Sequence, residues 1–297
     1  MVDRINMSKQ PLVSVIIPTH NRSDALVRAL TSLKKQTYTN LEAVIIDDAS
    51  SDDTQSKVKL FEAHLRILYF RNNENQGASR TRNIGFQKAT GEYFALLDDD
   101  DEFLEKKIEL QMGTALSLNE KAFILCNGYA LGKGDPYAYD QRKPGGFVRW
   151  EKGFFPIRCM LPSPSSWFFH RELVDKVGYF DEAMSRWEDV DYCLRLMVKY
   201  PVYMINELLV KWHTSTNSLT GMSPEDIKAR EYFLGKHFDL IRQDHNYLYK
   251  FYWRLGKDLK GIGKTADAAQ YFRNAFFVKP YKLEALVQFI ALSCRRS

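Results

Sequence analysis

"YFALLDDDDEF" (93–103) sets an apolar run directly against four consecutive carboxylates. Tyr93 to Leu97 has the make-up of a buried strand, and Asp98-Asp99-Asp100-Asp101 follows at its end. Neighbouring carboxylates repel, and burying one costs on the order of several kcal/mol unless it is paired or metal-bound. Either this turn is fully solvated or something positive sits beside it.

The segments before it have the same design. "PLVSVIIP" (11–18) is a nearly continuous β-branched run, as a central parallel strand covered on both faces would be. Asn21-Arg22-Ser23-Asp24 offers helix-capping chemistry, and Leu26, Leu30 and Leu33 repeat at helical spacing. "LEAVIID" (41–47) and "RILYF" (66–70) are further strands, and a helix is expected from about Ala78 to Ala89. This alternation predicts an α/β fold with an open, mostly parallel, doubly wound sheet. Ligands of such sheets bind beyond the carboxyl ends of the strands. "THNR", "DDAS", "NENQG" and "DDDD" stand at those four ends.

The second half is more mixed. "AFILCNGYA" (122–130) reads as a strand, and "GKGDPYAYDQRKPGG" (132–146) as a loop or hairpin. "SSWFFHRELVDKVGYFDE" (165–182) reads as strand, short helix and turn; "EDVDYCLRLMVKY" (188–200) as an amphipathic helix; "VYMINELLVKWH" (202–213) as two short strands. Beyond Ser223-Pro224 the pattern is helical, and "GKTADAAQYFRNAFFVKP" (263–280) resembles half of a tetratricopeptide unit. The expected division is therefore 1–221 for the α/β domain and 222–297 for a helical C-terminal appendage.

Composition narrows the class. Hydrophobic residues make up 45% and charged residues 27% of the 297, as in ordinary globular proteins. No apolar stretch approaches the roughly 18–20 residues that span a bilayer, and the N-terminal apolar run is too short for a signal peptide. The four cysteines show neither CxxC spacing nor a disulfide framework, which fits a cytoplasmic protein. From Met222 onward 14 Lys and Arg face 8 Asp and Glu, so the basic excess lies in the tail. "YLYKFYWRLGKDLKGIGK" (247–264) mixes aromatics and lysines as an interfacial helix does, which predicts peripheral contact with the inner face of a membrane. No nucleic-acid module is present.

Hard divalent cations take oxygen ligands, commonly one or two carboxylates plus substrate phosphates, so the four aspartates suit Mg²⁺ or Mn²⁺. Asp48, just past a strand, can accept hydrogen bonds from a base or ribose, or cap a helix. Neither G-x-G-x-x-G nor G-x-x-x-x-G-K-[ST] occurs, which removes the main support for dehydrogenase and P-loop readings.

"VSVIIPTHNR", "LEAVIIDDASSDDT", "NQGASRTRNIGFQKATGEYFALLDDDD", "VGYFDE" and "WEDVDYCLRL", in this order, resemble the inverting glycosyltransferases of family 2, which have a GT-A fold. The resemblance covers roughly residues 11–215, ending in "VKWHTSTNSLT", and leaves the helical tail outside. It implies a nucleotide pocket at Thr19 and His20, where many relatives carry Tyr in place of His20. Asp48 would then read the base, a uracil in many members. Asn75, Gly77 and Arg82 would lead toward the diphosphate and sugar; Arg82 could instead pair with a carboxylate of the acidic turn. Asp98-Asp99-Asp100 matches the DXD motif, with Asp98 and Asp99 facing ribose and sugar and Asp100 on the metal. Asp101 blurs that register by one residue. His213 resembles a histidine that completes the metal site in some members.

The same resemblance makes Asp189 the catalytic base, although Glu188, Asp189 and Asp191 could equally serve the dipole of a helix start. Trp187, Glu188 and Trp167 are candidates for the acceptor side, either tryptophan also being a core candidate. The implied reaction moves a hexosyl or N-acetylhexosaminyl group from a nucleotide-diphosphate donor, a UDP-sugar, to a saccharide or lipid-linked saccharide. Three other classes compete. A nucleotidyltransferase would carry a glycine-rich loop where this chain has "PTHNR". A glycoside hydrolase would need two facing carboxylates and no nucleotide. A non-catalytic sugar-binding protein would not need a base.

Overall fold

The computed structural model describes residues 10–131, 137–138, 145–148, 163–213 and 223–293. Most of the loop or hairpin expected over 132–146, and the expected boundary at 221–222, lie outside them. The chain divides into two compact units. The first holds the described residues up to Ala183 together with Glu188 to His213; the second holds Met184–Trp187 and the helical part from Ser223.

In the first unit, β1 (Val13–Thr19) runs parallel to β2 (Leu41–Asp47) on one side and to β4 (Tyr93–Leu96) on the other, and β3 (Arg66–Arg71) pairs parallel with β2. Their crossovers carry α1 (Ser23–Lys34), α2 (Thr54–Lys59) and α3 (Ala78–Lys88). β1 and β2 are almost wholly buried, as their unbroken apolar runs require. The buried exception, Glu42, is satisfied by the Ser14 hydroxyl, the Thr90 N–H and Arg66. Gly85 lets α3 lie close on β1, since a Cβ there would meet Ile16 Cγ2 at 2.3 Å.

After β4 come β5 (Glu102–Phe103), α4 (Lys107–Ser117), β6 (Phe123–Leu131), β7 (Tyr137–Ala138), β8 (Gly146–Val148), β9 (Phe168–His170), α5 (Glu172–Val177), α6 (Glu188–Lys199) and β10 (Val202–His213). The sheet order is β3-β2-β1-β4-β9-β6-β10-β5, with β7 on β6 and β8 on β10. β9 is antiparallel to both β4 and β6, so the sheet is mixed beyond its parallel half. Residues 202–213 form one strand rather than the two short ones expected. Exposed Asn206 and Glu207 break the apolar pattern, but they sit in a register slip between Ile205 and Leu208, with pairing to β6 resumed on the far side.

One core group has no counterpart in the sequence reading. Lys107, at the start of α4, is fully buried; its Nζ lies 3.8 Å from the centre of the Phe103 ring and has no hydrogen-bond partner among the described residues. Burial lowers its pKa to about 7, nearby Cys126 opposing this slightly.

The second unit comprises α7 (Pro224–Lys236), α8 (Phe238–Ile241), α9 (His245–Gly261), α10 (Thr265–Val278) and α11 (Leu283–Ser293). Ala268, Ala269 and Ala275 are buried, and Gly256 of α9 admits the Phe272 ring, which a Cβ would meet at 2.9 Å. The α9 aromatics are used inside the unit: Trp253 meets Phe272 edge-on with ring centres 5.1 Å apart, and Tyr252 lies 5.9 Å from Tyr271. Exposed apolar side chains lie instead on α11, at Leu283, Val287 and Ile290. No described helix is long and apolar enough to cross a membrane.

Lys107 gives a stability test. Unfolded lysine binds a proton up to about pH 10.4, whereas the folded group releases it near 7, so the unfolded state holds more protons between those values. Its contribution to stability therefore rises with pH across that window. Lys107→Met is expected to be more stable than the parent at pH 7, with the gap closing toward pH 10, as read by urea unfolding at both pH values.

Candidate active site

The acidic turn is not a solvated loop. The Asp98 N–H donates to Ser165 Oγ at 3.0 Å, and the Asp101 N–H closes the turn on the Asp98 carbonyl. Each carboxylate then has a partner, Arg22 being shared by two of them. Asp98 accepts from Arg82 at 2.7 Å, Asp99 from the Thr19 hydroxyl at 2.8 Å and Arg22 at 3.2 Å, Asp100 from Arg22 at 2.9 Å, and Asp101 from the Ser165 hydroxyl at 2.5 Å. Burial raises the Asp99 pKa to about 6 against the pull of Thr19 and Arg22. Asp100 is raised by burial and by Asp98, and Asp101 is raised strongly for the same two reasons. Asp101, which left the motif's register open, points to the Ser163 and Ser165 hydroxyls, whereas Asp100 faces a cavity of about 510 Å³ shared with Asn21, Arg22, Arg28, Asp52 and His213.

Among the nucleotide-pocket candidates, Thr19 is buried against Asp99, and the His20 Nδ1–H donates to the Asp48 carbonyl at 2.6 Å. The Asp48 carboxylate accepts from Asn72 Nδ2 and from the backbone N–H groups of Gln76 and Gly77, at 2.7, 2.8 and 2.9 Å. Those bonds hold the backbone that leads into α3, whose N-cap is Gly77 at φ 80°, and occupy about three of the carboxylate's four acceptor positions. Asn75 is exposed and accepts from the Gly77 N–H through Oδ1 at 3.2 Å.

Arg82 joins two elements. It is fully buried under Phe180, with NH2 on Asp98 and NH1 on Glu188 at 2.9 Å, so it takes the carboxylate partner rather than standing free for a phosphate. Glu188 and Asp189 open α6. Asp189 Oδ1 accepts from the Val190 N–H at 2.7 Å, and burial and the Glu188 charge raise its proton affinity above the usual carboxylate range, with Arg82 pulling the other way. Asp191 is separate: it is fully buried and paired with Arg195 at 2.8 Å.

Two acceptor candidates are corrected. Trp167 is 0% exposed, stacked at 6.3 Å on Phe180 and edge-on to Phe123, so it offers no face to a ligand. Trp187 is packed in the second unit, its Nε1–H donating to Asp226 and its ring meeting Phe233 and Phe251. His213 Nε2 is hydrogen-bonded to Glu102 Oε1 at 2.6 Å, an oxygen that Lys211 also reaches at 2.8 Å. Among the described residues no three His, Cys, Asp or Glu side chains converge as a complete metal site. Asp100 is a hard oxygen donor facing a cavity, so the set fits a divalent cation whose coordination a ligand completes. Sequence reasoning missed Arg22 and Glu102 as members of this group; the signal was a basic residue three positions after strand β1 and an acid continuing the aspartate run.

A family model described as "Glycosyl transferase family 2" matches residues 14–178. The chain belongs to that family. It is 43% identical over 107 residues, 35% of each chain, to a protein of Campylobacter jejuni named GalNAc(5)-diNAcBac-PP-undecaprenol beta-1,3-glucosyltransferase. Residues 1–349 of TarS from S. aureus, solved with UDP, superpose with a TM-score of 0.64 at 20% identity, over 94% of this chain and 88% of that one. The mannosyltransferase PcManGT from Pyrobaculum calidifontis, solved with GDP-Man and Mn²⁺, does so at 0.59 and 17%, over 97% and 87%. The fold of this family 2 glycosyltransferase is thus the GT-A fold expected from its motifs, with a helical C-terminal region.

Arg82→Leu would remove the buried cation shared by the partly buried Asp98 and Glu188. Breaking such a pair costs about 3–5 kcal/mol, and urea unfolding of the variant is expected to show a loss of that size; a change near zero would mean that the network carries no weight.

Proposed function

We propose that this chain is a metal-dependent inverting glycosyltransferase. It moves a sugar from a nucleotide-diphosphate donor, a UDP-sugar, to a hydroxyl of a saccharide or lipid-linked saccharide, with Asp189 as general base. The observation that carries the reading is the buried link Asp98–Arg82–Glu188, which brings the start of α6, and with it Asp189, to the acidic turn. A carboxylate with raised proton affinity suits a base that must take a proton near neutral pH. In the reaction the acceptor oxygen bonds to the anomeric carbon, and its proton passes to Asp189. The bond from that carbon to the diphosphate oxygen breaks, its electron pair leaving with the diphosphate.

Asp100, with His213 once it gives up Glu102, would hold Mn²⁺ or Mg²⁺, and the ion would supply Lewis-acid stabilisation to the departing diphosphate. Thr19 and Arg22 hold the Asp99 carboxylate, and Asp48 keeps the Gln76–Gly77 backbone at the head of α3 fixed beside the base and ribose positions. UDP on TarS, GDP-Man and Mn²⁺ on PcManGT, and the undecaprenol-linked substrate named for the Campylobacter relative support the donor, metal and acceptor classes. The division at 221–222 separates this catalytic domain from the helical appendage. That appendage would bring the enzyme to the inner membrane face through its basic charge, with Leu283, Val287 and Ile290 of α11 as apolar contact in place of the α9 aromatics. Flotation of the protein with anionic liposomes, but not with neutral ones, is expected; failure to float with either would remove the membrane role.

A panel of nucleotide sugars with Mn²⁺ or Mg²⁺ tests the reaction. UDP release from one donor is expected, lost with EDTA and in Asp100→Ala. Asp189→Asn should lower kcat by about 10²–10⁴-fold with UDP binding retained. Because the base works deprotonated and its pKa is raised, the acid limb of kcat/KM should fall above the ordinary carboxylate range. Turnover that survives in Asp189→Asn would dismiss that residue as the base.

A further inference from the structure

Two arginines hold the acidic turn, and they are built differently. Arg82 is sealed, its side chain 7% exposed, and both of its anionic partners are largely covered. Arg22 stands at the cavity wall with its side chain 42% exposed, and a single nitrogen, NH1, is shared between Asp99 at 3.2 Å and Asp100 at 2.9 Å. Its backbone is fixed. Asn21 takes a left-handed φ of 52°, its N–H donates to the Ser50 hydroxyl, and its Oδ1 accepts from the Ser51 N–H. Only the guanidinium is left to move.

We propose that Arg22 is the resident counter-ion of Asp100 in the metal-free enzyme, that a divalent cation displaces it, and that the displaced guanidinium then binds the donor diphosphate. The proposal rests on the metal-dependent reading above. A cation and a guanidinium cannot both sit on one carboxylate without strong repulsion, so one must yield. The half-exposed arginine yields more cheaply than the sealed one, because exposed ion pairs are worth little and buried ones much. Once released from Asp100, Arg22 remains beside the cavity it lines with Ser23, Arg28 and His213. Its planar fork suits an entering phosphate. Donor affinity is thereby coupled to metal: without the cation the guanidinium is shared between Asp99 and Asp100, and with it Arg22 keeps Asp99 alone and turns its remaining donors to the phosphate.

Two titrations test this. Mn²⁺ binding, without nucleotide, is followed by electron paramagnetic resonance; UDP binding is followed by calorimetry at saturating Mn²⁺. Arg22→Gln is expected to bind Mn²⁺ tighter by roughly threefold or more, since a competing charge is gone. The same variant should bind UDP about tenfold more weakly, having lost a phosphate-binding fork. A merely structural arginine would weaken both. Unchanged or weaker Mn²⁺ binding by a variant with parental circular dichroism overturns the proposal. Should Arg22→Gln not fold, Asp100→Asn decides: it leaves Arg22 paired with Asp99 alone without metal, and metal-free UDP affinity should rise a few-fold. No rise overturns the proposal. If the parent binds UDP but no Mn²⁺, the metal-dependent reading fails and this inference with it; if the parent binds both and the variants do not change as stated, only this inference fails.

Discussion

Four adjacent carboxylates at the end of one strand are the constraint around which the first unit is organised. The fold does not dilute their charge into water; it answers each with a partner from a different part of the chain. Arg22 comes from the end of β1, Arg82 from α3, and the Ser163 and Ser165 hydroxyls from the segment before β9. Those partners lie 16 to 78 positions away from the aspartates they meet. The turn therefore cannot take its shape until the sheet, α3 and the β9 segment are in place. Even so, Asp99, Asp100 and Asp101 hold protons more tightly than ordinary carboxylates. Compensation is incomplete, and what remains is an appetite for positive charge at the strand ends.

Helix capping across the fold extends this economy. Asp48 and Asp52 lie in the polar segment after β2, where the sequence offers several local capping residues. Asp48 holds the Gln76–Gly77 backbone just before α3, and Asp52 accepts from the Ser23 N–H at the start of α1 as well as from the Thr54 N–H at the start of α2. One loop thus ties down the entry to α3 and the start of α1, and those helices carry or adjoin Arg82 and Arg22. The backbone near both arginines is thus held by acids that do not touch them.

The parallel half of the sheet was legible because a strand buried on both faces writes a nearly continuous apolar run, as in 13–17 (broken by Ser14) and 43–46, and the polar clusters mark its ends. The insertion of β9 between β4 and β6 was not, since a three-residue strand has no periodicity of its own and is placed by pairing alone. Residues 202–213 misled in the opposite sense. A two-residue polar break signals a turn locally, yet pairing to β6 on both sides holds the chain extended through it. Trp167 and the α9 aromatics show the same limit: a large ring's sequence context does not say which of its faces is covered. Lys107 is the extreme case, a charge-bearing residue in a charged stretch that the fold buries over the Phe103 ring with no hydrogen-bond partner among the described residues.

The site residues divide along this line. Types and order are local properties, so the aspartate run, Arg82 and Asp189 could be singled out from the sequence. Pairing is not local. Arg82 can bind either phosphate or carboxylate by its chemistry, and the burial that chooses carboxylate comes from Phe180, far along the chain. Arg22 follows β1 as one more polar residue until β4 brings the acidic turn beside it. The two arginines then differ in exposure as well as in partners, Arg82 being sealed and Arg22 half-exposed. A sealed arginine ties the start of α6 to the turn, and a half-exposed one stands at the cavity wall; one acidic cluster thus has both a covered and an open cationic partner.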